Sequence, residues 1–260
     1  MKDLERQAAG VAGIGILALC FLGGYAESTR ESISLESLVK VDNAATAEIL
    51  AGTIRSVVLC FFCTGVIDVI VTLALLVYFF AVGTKNLRFP FPLSEESDAR
   101  GTVFFLTAAL AVLFRLAYAC VIISCLNSLV QVPKLVLVQA TLTDEQRAAR
   151  SLLIKQLWDA FYLGFNGVAL GLFGIHLGLL AVPLALVKKN FFTQLILPMT
   201  LVAAGVGYTG DAIGVFLQDK TYGLTSSGLF VGEVLLMIWL LVAMGKKGQE
   251  NDQGQQPFLQ

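Results

Sequence analysis

The sequence predicts an all-α, polytopic integral membrane protein with about six transmembrane helices. Of its 260 residues, 57% are hydrophobic and only 14% are charged, whereas soluble domains carry about 25% charged residues. The charges are concentrated between long apolar runs, and several runs reach the ~20 residues that a helix needs to cross a bilayer. A formal net charge of −1 gives no reason to expect a nucleic-acid partner.

The apolar runs define six spans within a single membrane domain, residues 1–245. Their approximate limits are 8–26, 56–82, 102–129, 158–187, 191–217 and 228–243. We interpret the first run as a span rather than a cleaved signal peptide, because Asp3 and Glu5 balance the basic residues near the N-terminus. Residues 246–260 are polar and rich in glutamine and glycine, which is typical of a disordered tail.

Helix-start and helix-break signals mark the segments between and within the spans. Asp42 or Asn43 is suited to cap a long helix that runs into the second span and protrudes from the membrane. Thr143, followed three residues later by glutamine, matches a capping box. It predicts an amphipathic helix on the membrane surface over residues 143–155. Pro198 predicts a kink in the fifth span.

Six spans place both termini on the same side of the membrane. The basic pairs that flank spans most closely, Lys188–Lys189 and Lys246–Lys247, fall on that side. Because cytoplasmic loops carry an excess of lysine and arginine, both termini are predicted to be cytoplasmic.

Glycines predict that the fourth and fifth spans form the most closely packed helix pair. The spacing of three and four residues in the fourth span puts its glycines on one helical face, and the fifth span has a shorter stripe. In membranes, small residues let two helix backbones approach closely, so the stripes are expected to face each other as a packing seam. The glycines concerned are Gly164, Gly167, Gly171, Gly174, Gly178, Gly207, Gly210 and Gly214.

Charged residues also occur inside the spans, where each calls for a partner or a purpose. Asp68 and Arg115 lie about halfway along the second and third spans, which run in opposite directions. Their matching depth predicts an intramembrane ion pair. Such a pair either fixes the register of the helices or belongs to a substrate or proton site.

Four further polar residues form the candidate binding site. Asp211 and Glu233 lie in the outer thirds of the fifth and sixth spans, Arg55 enters the second span near the same level, and Asn166 is level with Asp211. Together they are expected to line a polar cavity open to the outer face. In the alternative interpretation, these side chains reach the headgroup region and are simply solvated.

The single histidine and the cysteines give weaker hypotheses. His176 alone supplies no metal cluster and no Ser-His-Asp triad, and it is expected to be a hydrogen-bonded packing residue. Cys60 and Cys63 share one helical face at about the depth of Cys120 and Cys125. A thiol redox site or a Cu(I) site would need such clustering, whereas cysteine in apolar helices usually acts as a small hydrophobe.

Motifs of the common enzyme classes are missing from the sequence. It has no phosphate-binding glycine loop, no His-Glu-x-x-His, no nucleophile elbow and no haem attachment motif. We therefore predict no catalytic residue and no cofactor. The candidate functions are binding or translocation of a small molecule or ion, an accessory or assembly subunit of a membrane complex, and a membrane thiol redox protein. The expected partners are the lipid bilayer and either another membrane protein or further copies of the chain.

Several short motifs follow one another along the chain. They are Asp42-Asn-Ala-Ala-Thr-Ala-Glu-Ile-Leu50, Arg55, Asp68, Phe114-Arg115, Gly164-Phe165, Gly171-Leu-Phe-Gly-Ile-His-Leu177, Pro198 and Gly205-Val-Gly-Tyr208. In this order they resemble the uncharacterised bacterial family "domain of unknown function" four-three-eight-six. The resemblance implies a six-helix topology in a bacterial cytoplasmic membrane, with no established activity and no catalytic residue to carry over.

Overall fold

A computed structural model describes residues 2–41, 43–86, 99–139, 141–187, 190–217 and 231–245. These ranges are almost entirely helical and contain no strand. The α-helices in chain order are α1 (Lys2–Ser32), α2 (Leu35–Val39), α3 (Ala44–Asn86), α4 (Ala99–Leu129), α5 (Val132–Gln139), α6 (Asp144–Tyr162), α7 (Leu170–Leu186), α8 (Leu197–Leu217) and α9 (Val231–Gly245). Two π-helical segments, Leu163–Ala169 and Phe192–Ile196, lead into α7 and α8.

Five helical stretches among the described residues are long and apolar enough to cross a membrane. They are Asp3–Ser32, Ala44–Lys85, Ala99–Gln139, Glu145–Leu186 and Phe192–Leu217. The protein is therefore an all-α, polytopic integral membrane protein, as predicted. The described part of the sixth predicted span, α9, is a shorter apolar helix of 15 residues. Residues 228–230 and the predicted tail, 246–260, lie outside the described residues.

The long helices pack as a closed ring. Neighbours in the chain are neighbours in space, since α1 packs on α3, α3 on α4, α4 on α7, α7 on α8 and α8 on α9. The ring closes because α9 also packs against α1. Each of these helices therefore presents one face to a common interior, and the candidate site lies there.

The predicted protruding helix is present as α3, which contains 43 residues. At 1.5 Å per residue it is about 65 Å long, roughly twice the ~30 Å thickness of the hydrocarbon core. The side-chain Oδ1 of Asn43 accepts a hydrogen bond from the backbone N–H of Thr46 at 2.8 Å. Asn43 is thus the N-cap, and Asp42, the other predicted cap, lies outside the described residues.

The predicted surface helix over residues 143–155 is instead the first part of a longer helix. α6 runs through the π-helical segment Leu163–Ala169 into α7, and the whole stretch is one of the membrane-span candidates. The apolar residues Ile154 and Trp158 are buried, because α6 packs against α2, α4 and α5. Leu152 and Leu153 remain exposed and the predicted capping box at Thr143 is present, so the placement of this helix on the membrane surface stays a prediction.

Short helices α2 and α5 join α6 to form a structure that we call the helical cap. The side-chain Nε2 of Gln139 donates a hydrogen bond to the backbone oxygen of Val39 at 2.7 Å and another to Ser151 Oγ at 2.9 Å. These bonds connect α5 to α2 and to α6. The cap defines one end of the bundle, which the sequence assigns to the outer side of the membrane.

A helix irregularity occurs where Pro198 predicted a kink. Pro198 is the second residue of α8, directly after the π-helical segment Phe192–Ile196. Proline has no N–H to donate, and its ring clashes with the carbonyl group four residues earlier in a regular α-helix. Wider π-helical turns before the proline relieve this conflict.

Candidate functional site

Asp68 and Arg115 lie side by side in the middle of the bundle. Arg115 Nη2 is 2.5 Å from Asp68 Oδ1, and the two side chains are only 3% and 2% exposed. The structure thus brings together the two charges whose matching depth in antiparallel spans predicted a pair. A buried ion pair offsets its desolvation only when further hydrogen bonds satisfy the remaining polar groups.

His176 of α7 supplies one of these hydrogen bonds. Its ring is fully buried, with Nδ1 2.8 Å from the backbone oxygen of Ala111 and Nε2 3.2 Å from Arg115 Nη1. A carbonyl oxygen only accepts and a guanidinium only donates. The proton of the ring is therefore assigned to Nδ1, and Nε2 accepts from Arg115. His176 is a neutral residue that links α7 to α4, in keeping with the packing role favoured from the sequence.

The guanidinium of Arg115 also lies close to an aromatic ring. Its central carbon lies 5.6 Å from the centre of the Phe173 ring, a cation–π distance. Its Nε is buried and has no hydrogen-bond partner among the described residues. All donors that have partners point at Asp68 and His176, so the positive charge is held by the protein itself.

A second polar pair joins α8 and α9. The Tyr208 hydroxyl donates a hydrogen bond to Glu233 Oε1 at 2.6 Å. The two helices approach closely beside this bond, since a Cβ atom on Gly232 would lie 2.5 Å from the backbone oxygen of Thr200. Only glycine at position 232 allows α9 to place Glu233 within reach of Tyr208.

The two polar pairs open into one cavity of about 170 Å³ inside the ring of helices. Residues from α1, α3, α4, α7, α8 and α9, together with Phe165 of the π-helical segment, form its wall. Its polar lining residues include Thr64, Asp68, Arg115, Tyr118, Tyr208 and Glu233. At roughly 30 Å³ per water molecule, this volume would hold five or six waters or one small organic molecule.

The cavity extends from the middle of the bundle toward the helical cap. On α3 its lining runs from Asp68 back to Phe61, and on α4 from Arg115 on to Tyr118. Both directions lead to the helix ends that join the cap. Phe61 also packs against Phe161 and Phe165, with ring centres 5.6 and 4.8 Å away, so an aromatic cluster separates the cavity from the cap.

Of the four residues predicted to line an outer polar cavity, only Glu233 borders the observed one. Arg55 is exposed, Asn166 is half-buried and Asp211 is buried in α8. Asn166 lies in the π-helical segment, where an inserted residue rotates the preceding positions by about 100° relative to a regular helix. Tyr208, one turn before Asp211, occupies the position in α8 that faces Glu233. Sequence analysis missed Tyr208 because it considered only charged and amide side chains as candidates.

The glycine face of α7 packs against small residues of α8, as predicted, but against different ones. A Cβ atom on Gly174 would lie 2.6 Å from the backbone oxygen of Gly205 and 2.8 Å from the backbone nitrogen of Thr209. A Cβ atom on Gly171 would lie 3.3 Å from Ala212 Cβ. The close contact between the two spans is therefore made by the glycine face of α7 with Gly205, Thr209 and Ala212 of α8.

The other predicted packing glycines have different surroundings. Gly167 faces Phe216, and Gly164 faces Cys125 of α4 rather than α8, because the π-helical segment interrupts the stripe. Gly207 and Gly214 are buried in α8. A Cβ atom on Gly178 or Gly210 would meet nothing within 4 Å.

The cysteines do not assemble the metal or redox cluster that was considered. All five are free thiols, and among the described residues no group of three or more histidine, cysteine, aspartate or glutamate side chains could hold a metal ion. Cys20 borders the cavity, whereas Cys60, Cys63, Cys120 and Cys125 do not.

Comparison with known families agrees with the resemblance seen in the motifs. A sequence model described as "Domain of unknown function (DUF4386)" matches residues 105–243, just over half of the chain. The match includes Arg115, His176, Tyr208 and Glu233, whereas Asp68 precedes it. No curated protein and no solved structure matches the chain. The chain therefore belongs to the DUF4386 family, whose function is unknown.

Proposed function

We propose that this protein binds a small molecule or an ion inside the membrane, in a bacterial cytoplasmic membrane, without catalysing a reaction. A single observation carries the proposal: two polar pairs from four different helices open into one cavity in the bundle interior. Translocation would follow if the cavity also opened toward the other side of the membrane.

The cavity distinguishes this proposal from a purely architectural role of the charges. A charge at a helix centre costs about 2.5–3.5 kcal/mol on insertion scales. An ion pair that only fixes helix register is most stable when neighbouring side chains pack closely around it, because a void beside the pair loses van der Waals contacts. Here Asp68, Arg115 and Glu233 instead border the same space. A cavity that is bordered by three ionisable groups is suited to a ligand or to bound water.

The glycine stripes were one of the observations behind the accessory-subunit alternative. Stripes that face lipid would be available to a partner helix, but Gly171 and Gly174 are used by α8 of the same chain. The thiol redox alternative rested on four cysteines, and none of the four borders the cavity. Both alternatives are outcomes of the experiment.

Native mass spectrometry of the full-length protein, gently extracted from its own membrane, tests the proposal. We expect the wild-type chain to carry a small molecule. Glu233→Gln should lose it, whereas Asp211→Asn should retain it, because Asp211 is a buried carboxylate that does not border the cavity. If the chain carries no small ligand and is instead bound to a second polypeptide in stoichiometric amount, the proposal is contradicted and an accessory subunit is favoured.

A further inference from the structure

We infer that the ligand of this cavity is a small organic cation that carries an ammonium group. The inference rests on the proposed function, since it names the chemical class of a molecule bound at the same site. Three features carry it: the balance of charge around the cavity, the aromatic side chains of its wall, and the pairing of Arg115 with a carboxylate of the protein.

The charged groups that border the cavity do not cancel. Among the described residues of the lining, Asp68 and Glu233 are carboxylates and Arg115 is the one cation, so their formal charge sums to −1. Arg115 is neutralised by Asp68 at 2.5 Å, whereas the described hydrogen-bond partner of Glu233 is an uncharged hydroxyl. A carboxylate in an apolar interior is neutral when it holds a proton, and otherwise it needs a cation beside it.

Aromatic rings make up much of the rest of the wall. Phe61, Tyr118, Phe165, Phe173 and Tyr208 all border the cavity. Tyr118 and Tyr208 both pack against Phe173, with ring centres 4.8 and 5.4 Å away. Ring faces attract cations, and aromatic cages are a common way to bind quaternary ammonium groups. Phe173 already holds one cation in this manner, the guanidinium of Arg115.

Other ligand classes fit this lining less well. An anion would have to compete with Asp68 for Arg115, because Asp68 Oδ1 already lies 2.5 Å from Arg115 Nη2. A hard metal ion would need several oxygen ligands, and no group of three or more acidic, histidine or cysteine side chains among the described residues could hold a metal. An organic ammonium ion needs one carboxylate and apolar or aromatic walls, and both are present.

Competition binding with choline and its neutral carbon isostere, dimethylbutanol, tests the inference on the full-length protein. The two probes have the same shape, and only choline is charged. The protein is placed in phosphatidylglycerol nanodiscs, which contain no amine lipid. We expect choline to bind about tenfold more tightly than the isostere, or better.

Two variants connect this preference to the wall. Glu233→Gln should reduce the preference for choline to about threefold or less, and Phe61→Leu should reduce choline binding more than binding of the isostere. Asp211→Asn is the matched control and should keep the wild-type preference, since Asp211 does not border the cavity. Size-exclusion profiles and thermal unfolding identify any variant that fails to fold. If Glu233→Gln does not fold, Phe61→Leu still tests the preference for choline.

The outcomes separate the two proposals. Equal binding of choline and its isostere, tighter binding of acetate, or no choline binding would overturn the cation class. A different molecule found by native mass spectrometry would leave the proposed function standing. If phosphatidylcholine or phosphatidylethanolamine in the nanodiscs displaces choline, the ammonium group comes from a lipid headgroup. If neither lipid displaces choline, the ammonium group comes from a free solute. Either result supports the cation class.

Discussion

Replacement of Gly174 by alanine tests whether the contact between α7 and α8 is as close as the structure indicates. The new Cβ atom would lie 2.6 Å from the backbone oxygen of Gly205 and 2.8 Å from the backbone nitrogen of Thr209, whereas ordinary contacts begin at 3.4 Å. A third neighbour, Thr209 Oγ1, belongs to a side chain that can rotate away, but these two are backbone atoms, and no side-chain rotation relieves their overlap. The two helices would have to separate locally by about 0.8 Å, the difference between 3.4 and 2.6 Å.

The expected cost follows from known effects of overpacking. Extra methyl groups in a well-packed interior destabilise proteins by about 1–3 kcal/mol. Alanine regains up to about 1 kcal/mol of helix propensity relative to glycine, as measured in soluble helices. The sum for Gly174→Ala is a loss of about 0–2 kcal/mol in the free energy of unfolding, or about 1–3 kcal/mol relative to a glycine-to-alanine change that meets no overlap. Because Phe173 and Tyr208 lie next to this contact, separation of the helices should also weaken ligand binding.

Titration of the detergent-solubilised protein with sodium dodecyl sulfate, followed by tryptophan fluorescence, would measure this loss. Gly178→Ala is the matched control, because Gly178 lies one turn later on the same helix and its Cβ would meet nothing within 4 Å. It should be unchanged or more stable by up to about 1 kcal/mol. If Gly174→Ala unfolds at the same detergent fraction as Gly178→Ala, the close approach of α7 and α8 is refuted.

Two further predictions concern the charged pair and access to the cavity. Asp68→Leu alone should cost about 3–5 kcal/mol in the same titration, because it leaves Arg115 buried without its counter-ion, and Asp68→Leu/Arg115→Leu should recover most of that loss. Additive losses would contradict the pair. With the other four cysteines replaced by serine, Cys20 should react faster with a cationic than with an anionic methanethiosulfonate, and choline should slow it. In a second variant that keeps Cys120 as its one cysteine, the thiol is also exposed but lies outside the cavity, so choline should give no protection; protection at both sites would contradict selective binding.

The sequence was sufficient for features that depend on one helix or on two neighbouring helices. Segregated charges and long apolar runs indicated a polytopic helical protein, and Asn43 was one of two residues suggested as the N-cap of α3. The pairing of Asp68 and Arg115 could be predicted because both residues lie midway along their spans. The two spans run in opposite directions, and the connection between them is short enough to make them neighbours. In each case the relevant distance is set by helix geometry alone.

The cavity could not be predicted because it depends on how six helices close into a ring. Packing of α9 against α1 joins the two ends of the chain, and no local pattern encodes that contact. Glu233 was expected beside Asp211, but its partner is Tyr208, a residue without charge one turn away. The π-helical segment Leu163–Ala169 was equally invisible, and it changes which residues of the fourth span face inward.

The charge of the cavity depends on a part of the chain that lies outside the matched family region. Residues 105–243 contribute Arg115 and Glu233 to the lining, one positive and one negative charge, so this region alone would offer a neutral site. Asp68 comes from the preceding helix, α3, and its carboxylate occupies Arg115. Without Asp68, Arg115 would be the natural counter-ion for Glu233 or for an anionic ligand. The preference for a cation therefore requires Asp68 as much as Glu233. Asp68 contributes by pairing with Arg115, which is then not available to the ligand.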